Sequence, residues 1–257
     1  MMAEKMSKKE RIEILYTNAD CLTNKMTELD ERVKISWPGV IAINEVKYKN
    51  MEGKTLRESE FSLIPNKYEL FGNNIEKKAG RGQLLFVDKK YKPDEITLTT
   101  KAEEVLVVNL TDKENEKITV ALLYRSPSST NANNTKMNKV ISEIVKLKSK
   151  SIVIVGDFNH KEIDWDTLEG QGDEQDNFLD CIVENNLWQH VHENTRFRGT
   201  NKPSKLDLVF SNEEYTVEDM VLESGLGKSD HAVIRFFIQG EAGPTYVEKK
   251  GKTGKLT

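Results

Sequence analysis

The sequence is poor in cysteine, proline and tryptophan, and it contains no long apolar run. Two cysteines in 257 residues, Cys21 and Cys181, are too few for a disulfide framework and lack zinc-site spacing, so they read as reduced thiols. The longest apolar stretches, such as Ser151 to Val155 and Val105 to Leu110, fall far short of the ~20 residues that a membrane-spanning helix needs. The polar start, Met1 to Arg11, offers no apolar segment of the kind a secretory signal requires, and an intracellular location is expected. Nor is there an excess of positive charge. Lys and Arg number 38 against 42 Asp and Glu, a net charge of −4, which argues against a simple polybasic nucleic-acid binder. It does not exclude an enzyme that gathers carboxylates around a cation.

What is present is one domain's worth of alternating pattern. Residues 1–10 and 240–257 are rich in Lys, Gly, Glu and Thr and are expected to be disordered, leaving 11–239 as the folded unit. Arg11 to Tyr16 predicts a strand. Leu22, Met26, Leu29 and Val33 recur at helical spacing until Pro38-Gly39, and Val40 to Asn44 is a short apolar strand. After a long polar loop, Gln83 to Val87, Glu104 to Leu110 and Lys117 to Tyr124 predict strands, the last two joined by a turn at Asp112 to Asn115. Met137 to Leu147 predicts a helix, Ser151 to Val155 a buried strand, and Phe178 to Leu187 a further helix. Late strands are expected at Leu206 to Phe210, Val217 to Leu222 and Ala232 to Ile238. Hairpins mixed with strand–helix units imply an α/β (α+β) fold with mixed β-sheets covered by helices.

Acidic and amide side chains recur where these apolar strands end. Asn18 and Asp20 follow the first strand, and Asn44-Glu45 closes the second. Tyr124-Arg125-Ser126-Pro127 ends the middle hairpin, and Gly156-Asp157-Phe158-Asn159 ends the most apolar strand. Leu206-Asp207 opens a late strand, and Ser229-Asp230-His231 precedes the last. Any one of these is ordinary turn chemistry. Six in one domain, all hard oxygen or amide groups with a single paired histidine, point to a site for magnesium.

Those six motifs, in that order, resemble the endonuclease/exonuclease/phosphatase family over residues 11 to 238. Leu15 to Asp20 with Leu22, Asn24 and Lys25, Asn44 to Lys47, Leu123 to Pro127, and Thr195 to Arg198 before Leu206 to Val209 further resemble the endonuclease domain of LINE-type non-LTR retrotransposons. The resemblance implies a four-layered sandwich of two packed mixed sheets flanked by helices. It implies magnesium, with manganese as a substitute, held by Glu45 with Asp20 and Asp230, directly or through water. Asp157 would orient or deprotonate the attacking water, and Asn159 would hold that water or a phosphate oxygen. A protonated His231, fixed by Asp207, would donate to a phosphate oxygen, while Asn18 and Tyr124 contact the scissile phosphate or stabilise the leaving group.

The substrate so implied is DNA, nicked on one strand to leave a 3′-hydroxyl. Arg125, Thr195, Arg196 and Arg198 are expected to contact it, beside Lys47, Lys49 and the stretch Lys77 to Arg81. A downstream reverse transcriptase in the full-length element and a nuclear site of action go with the same resemblance. Other phosphoesterase chemistry (abasic-site repair, deadenylation, or an inositol or lipid phosphatase) and an inactive binding domain are the alternatives. Gly225 to Ser229 is not a phosphate-binding loop, since Leu222 stands where such a loop needs glycine and no helix pattern follows.

Overall fold

Period-two alternation along the strands builds the molecule's apolar layers. A computed structural model describes residues 11–48, 56–61, 63–64, 66–74 and 81–240. The expectations of disordered ends fall outside these residues, apart from Gly240, as do Lys49 and residues 77–80. The elements in order are β1 (Arg11–Asn18), α1 (Met26–Ser36), β2 (Val40–Asn44), β3 (Tyr68–Asn73), β4 (Gln83–Asp88), β5 (Asp94–Glu95), β6 (Val105–Thr111) and β7 (Lys117–Tyr124). They continue with α2 (Asn131–Val145), β8 (Ser151–Asp157), α3 (Asp173–Glu184), β9 (Trp188–Gln189), β10 (Asp207–Ser211), β11 (Val217–Glu223) and β12 (Val233–Gln239).

Among the described residues the strands form two six-stranded sheets, ordered β11-β12-β1-β2-β4-β3 and β5-β6-β7-β8-β10-β9. Each centres on one parallel pair, β1 with β2 and β7 with β8, and every other pairing is antiparallel. Ile12, Ile14 and Tyr16 of β1, Val40 and Ala42 of β2, and Leu85 and Val87 of β4 pack against Ile118, Val120 and Leu122 of β7 and Val153 and Val155 of β8. This is the core between the sheets. The opposite parity, Leu15, Ile41, Ile43, Leu84 and Phe86, joins Leu29 and Val33 of α1 outside the first sheet. Ile152, Ile154, Leu208 and Phe210 likewise meet α2 and α3 outside the second. The result is helix, sheet, sheet, helix, as expected. Each fully buried aliphatic side chain contributes roughly 1.5–3 kcal/mol, so a one-residue slip of any central strand is strongly disfavoured.

The differences from expectation have local causes. The loop expected after Asn44 contains β3, an edge strand whose Tyr-Glu-Leu-Phe-Gly-Asn sequence alternates poorly and is mostly half-buried. Helix α3 extends ahead of the apolar run from Phe178 and starts at Asp173, as the acidic pair Asp173-Glu174 leads one to expect, since Asp173, Glu174 and Asp176 occupy its first turn and complement the helix dipole. Helix α2 starts at Asn131, where the Thr130 side chain caps the backbone N–H of Asn133. Only glycine fits at 156. A Cβ there would lie 1.9 Å from the Leu123 carbonyl oxygen, so the parallel pair β7–β8 closes tightly just before Asp157.

Candidate active site

The strand-end residues continue the inward rows of the core. Asn18 has the parity of Ile14 and Tyr16, Asn44 that of Val40 and Ala42, Tyr124 that of Leu122, Asp157 that of Val155, and Asp207 that of Val209. Register brings the ends level. Asn18 lies beside Asn44, Asn44 beside Gln83, Tyr124 beside Asp157, and Asp157 beside Asp207. One edge of the inter-sheet layer is therefore polar, half of it supplied by each sheet.

Asn18 is fully buried, and its Nδ2 donates to Glu45 Oε1 at 3.0 Å and to Asp157 Oδ2 at 2.9 Å. The Asp20 backbone N–H donates to Asn18 Oδ1 at 3.1 Å and fixes that amide. Tyr124 Oη donates to Glu45 Oε1 at 2.9 Å. Among the described residues Glu45 Oε2 accepts no hydrogen bond. Burial and the neighbouring Glu45 and Asp157 charges push the Tyr124 phenol up, so it stays a donor. Asp20, Glu45 and Asn159 all adopt left-handed backbone conformations, at φ 39°, 52° and 51°. Strained non-glycine residues of this kind cluster where surrounding structure dictates side-chain direction.

On the other wall His231 Nδ1 lies 2.7 Å from Asp207 Oδ2, and Asp207 Oδ1 accepts from Tyr16 Oη at 2.7 Å. With Nδ1 held there, Nε2 faces the mouth, 4.0 Å from Asp157 Oδ2 and 3.7 Å from Asp230 Oδ1. Burial opposes the charged imidazole, but Asp207, Asp157 and Asp230 outweigh it and lift His231 to about 9. Burial, then the charge of Asp207, pushes the Asp157 carboxyl up, and Glu45 adds to this against the opposing pull of His231. Ser229 Oγ donates to the Asn18 carbonyl at 2.7 Å, tying the approach to β12 onto β1.

Two residues that sequence reasoning left out hold this wall together. Tyr16 links the sheets through Asp207, and Asn44 Nδ2 donates to Tyr16 Oη at 3.3 Å and to the Leu123 carbonyl at 2.9 Å. Gln83 Nε2 donates to Asn44 Oδ1 at 3.0 Å and to the Leu122 carbonyl at 3.2 Å. The available signal was a polar residue at inward parity in an apolar strand.

Of the expected DNA contacts, two are corrected. Arg125 is buried, its guanidinium bonded to Asn134 Oδ1, to the Phe158 and Asn159 carbonyls and to Glu174, so it faces the interior and not a ligand. Thr195 is fully buried, and its Oγ1 accepts from the backbone N–H groups of Leu206 and Asp207 at 3.1 and 3.0 Å. It orients Asp207. Arg196 is half-buried with Nε 3.0 Å from Asp230 Oδ2, whereas Arg198 is exposed and 3.9 Å from the same atom. Asp20 pairs with Lys47 at 2.5 Å, which holds its carboxyl below the usual range. Asn159 Nδ2 donates to the Arg125 carbonyl at 2.9 Å.

Asp157, Asp207 and His231 have ligand atoms all within 4.8 Å of one another. The Asp207–His231 bond already commits one ligand atom of each of those two, and Asp157 Oδ2 accepts from Asn18. Among the described residues Glu45 Oε2 is an uncommitted hard oxygen. Burial, and after it the nearby charges of Asp207 and Glu45, raises the Asp157 carboxyl, a penalty on its charged form that a divalent cation would relieve.

Residues 118–235 match a family described as endonuclease-reverse transcriptase. The structure superimposes on the endonuclease domain of TRAS1, a telomere-specific non-LTR retrotransposon, with a TM-score of 0.68 and 15% identity, covering 90% of this chain and 100% of that one. The fold is that of the endonuclease/exonuclease/phosphatase family. The same fold relates the chain to the AP endonuclease LMAP from Leishmania major (TM-score 0.69, 14% identity, 89% and 88% covered). It also relates it to an AP endonuclease from Archaeoglobus fulgidus (TM-score 0.65, 12% identity, 88% and 99% covered). No curated protein matches the sequence. Among the described residues no helix is long and apolar enough to cross a membrane.

Proposed function

We propose that the protein is a magnesium-dependent endonuclease that hydrolyses a phosphodiester in one DNA strand and leaves a 3′-hydroxyl. The observation that carries this reading is the buried Asn18 amide bonded to both Glu45 and Asp157, facing a His231 oriented by Asp207. Glu45 would hold magnesium, or manganese in its place, with Asp20 and Asp230 assisting directly or through water. A bound cation would relieve charge on the phosphoryl oxygens and acidify a water.

The chain's own groups then have distinct tasks. Asp157, already inclined to take a proton, orients or deprotonates the attacking water, and Asn159 Oδ1 accepts from it. The charged His231 donates through Nε2 to a non-bridging oxygen, and the Asp207 bond keeps that nitrogen aimed. Tyr124 and Asn18 meet the scissile phosphate or the leaving oxygen. A groove of about 890 Å3 adjoins Asp230, and its five cations, Lys161, Arg196, Arg198, Lys202 and Lys205, outnumber its carboxylates, Glu162, Asp164 and Asp166, and offer a path for phosphates. In a full-length element the new 3′-hydroxyl would prime a downstream reverse transcriptase in the nucleus.

Likeness to two AP endonucleases supports a second reading, incision at abasic sites. Relaxation of a supercoiled plasmid with magnesium and with chelator, beside cleavage of an oligonucleotide holding one abasic site, separates the two. Cation-dependent nicking with 3′-hydroxyl ends on the plasmid supports the first. Cleavage confined to the abasic strand supports the second, and binding without cleavage of either overturns both.

A further inference from the structure

We propose that Arg125, paired with Glu174, is a positioning residue that holds the segment after β8 in its working shape. This rests on the reading of Asp157 and Asn159 as the groups that meet the attacked phosphate.

Arg125 is tied to that segment from both backbone and side chain. Its N–H donates to the Asp157 carbonyl at 2.8 Å, and its carbonyl accepts from Asn159 Nδ2 at 2.9 Å. Its guanidinium reaches the Phe158 and Asn159 carbonyls, both at 3.4 Å, and turns its remaining donors to Asn134 of α2 and Glu174 of α3. One planar cation therefore joins the ends of β7 and β8 to both helices that cover the second sheet. A lysine has neither the fork nor the number of donors for this.

The segment needs such a tether. Asn159 stands at φ 51°, and the turn is closed internally only by the Asn159 N–H on Asp157 Oδ1 at 3.1 Å. The next residue, His160, is buried and stacked on Phe178 of α3 with ring centroids 4.6 Å apart, and its Nδ1 is 3.7 Å from Glu174 Oε1, too far for a hydrogen bond. Glu174 thus meets the guanidinium and not the histidine. A buried ion pair adds little net stability, because desolvation offsets the attraction; what it supplies is direction. Misplacing a reacting group by about 1 Å can cost ~100-fold in rate.

A cavity of about 520 Å3 between α2 and α3 opens onto Arg125, Asn134, His160 and Glu174. Among the described residues Asn134 Nδ2 and His160 Nδ1 have no hydrogen-bond partner there. The opening gives a small guanidinium compound access to the place Arg125 would leave, so chemical rescue is available as a test.

The experiment compares the full chain with Arg125→Ala and Glu174→Gln, well below their melting temperatures. It reads kcat and KM on supercoiled plasmid, amide exchange across residues 157–160 without DNA, and the effect of ethylguanidinium. Expected are faster exchange in both variants, kcat lower by about tenfold or more with KM within about twofold, and partial recovery of Arg125→Ala by ethylguanidinium. Unchanged exchange in a folded variant overturns the proposal, as does faster exchange with full kcat. If Arg125→Ala does not fold, Glu174→Gln, which keeps the side chain's shape, carries the test. A wild type that nicks no DNA overturns the endonuclease reading, while exchange still decides whether the ion pair holds the loop.

Discussion

Tyr16 Oη donates to Asp207 Oδ1 across the two sheets, at 2.7 Å and with both residues wholly buried. Burial first, then the charges of Asp207 and Asp157, push the phenol well above its ordinary value, so it remains a donor at any working pH. Tyr16→Phe leaves a buried carboxylate oxygen short of one hydrogen bond. The expected loss of stability is about 1–3 kcal/mol, read from the midpoint of urea unfolding at constant slope. An unchanged midpoint would show that the bond contributes nothing to holding the sheets together.

His231 should set an alkaline limit. Its folded value of about 9 lies above the ordinary 6.5, so the stabilisation from its charged form is full below 6.5 and is lost as pH rises through about 9. Nicking should fall over the same range if the imidazolium is the donor. Asp207→Asn removes the strongest partner, and its alkaline limb should move toward 6.5. A pH–rate profile at saturating magnesium, with a histidine proton NMR titration, checks both; a limb unmoved by Asp207→Asn contradicts the pairing.

Glu45 Oε2 accepts no hydrogen bond among the described residues, so Glu45→Gln should act through the cation. We expect nicking to drop by at least about a hundredfold and the magnesium midpoint to move upward. Asp157→Ala and His231→Ala should lose as much at saturating magnesium without that shift. Titration of the rate against magnesium tells the two classes apart.

Arg198 is exposed and lines the groove beside Asp230, whereas Arg125 is buried. Arg198→Ala should lower DNA affinity evenly across sequences and reduce the slope of log affinity against log salt by about 0.9 for one lost phosphate contact. The measurement is binding at several salt concentrations in an Asp157→Asn background. An unaltered slope would remove Arg198 from the DNA surface.

Much of this site was legible because strand parity is rigid. Once Tyr16, Ala42, Leu122, Val155 and Val209 are recognised as inward, the residue two places on, or two before in the case of Asp207, must face the same gap. Side-chain direction off the strands was not legible. Arg125 and Thr195 follow or precede motif residues as surface contacts would, yet the first turns under the β8 loop and the second under Asp207. Composition does not distinguish a guanidinium facing solvent from one facing Glu174. Tyr16 and Gln83 were overlooked for the opposite reason: each sits in an apolar run, where a polar group is easily counted as part of the core. Strand β3 escaped because an edge strand with half-buried residues lacks the alternation that marks β1 or β7.

The polar edge is shared between two sheets whose central parallel pairs are separate. Asn18 and Glu45 ride on one, Tyr124, Asp157 and Asp207 on the other. A shear of one layer past the other by a single residue step, about 3.3 Å, would part Asn18 from Asp157 and Tyr16 from Asp207 together. No half of the chain could then keep a feeble version of the chemistry, and catalytic competence should vanish in the same cooperative transition that unlocks the sandwich.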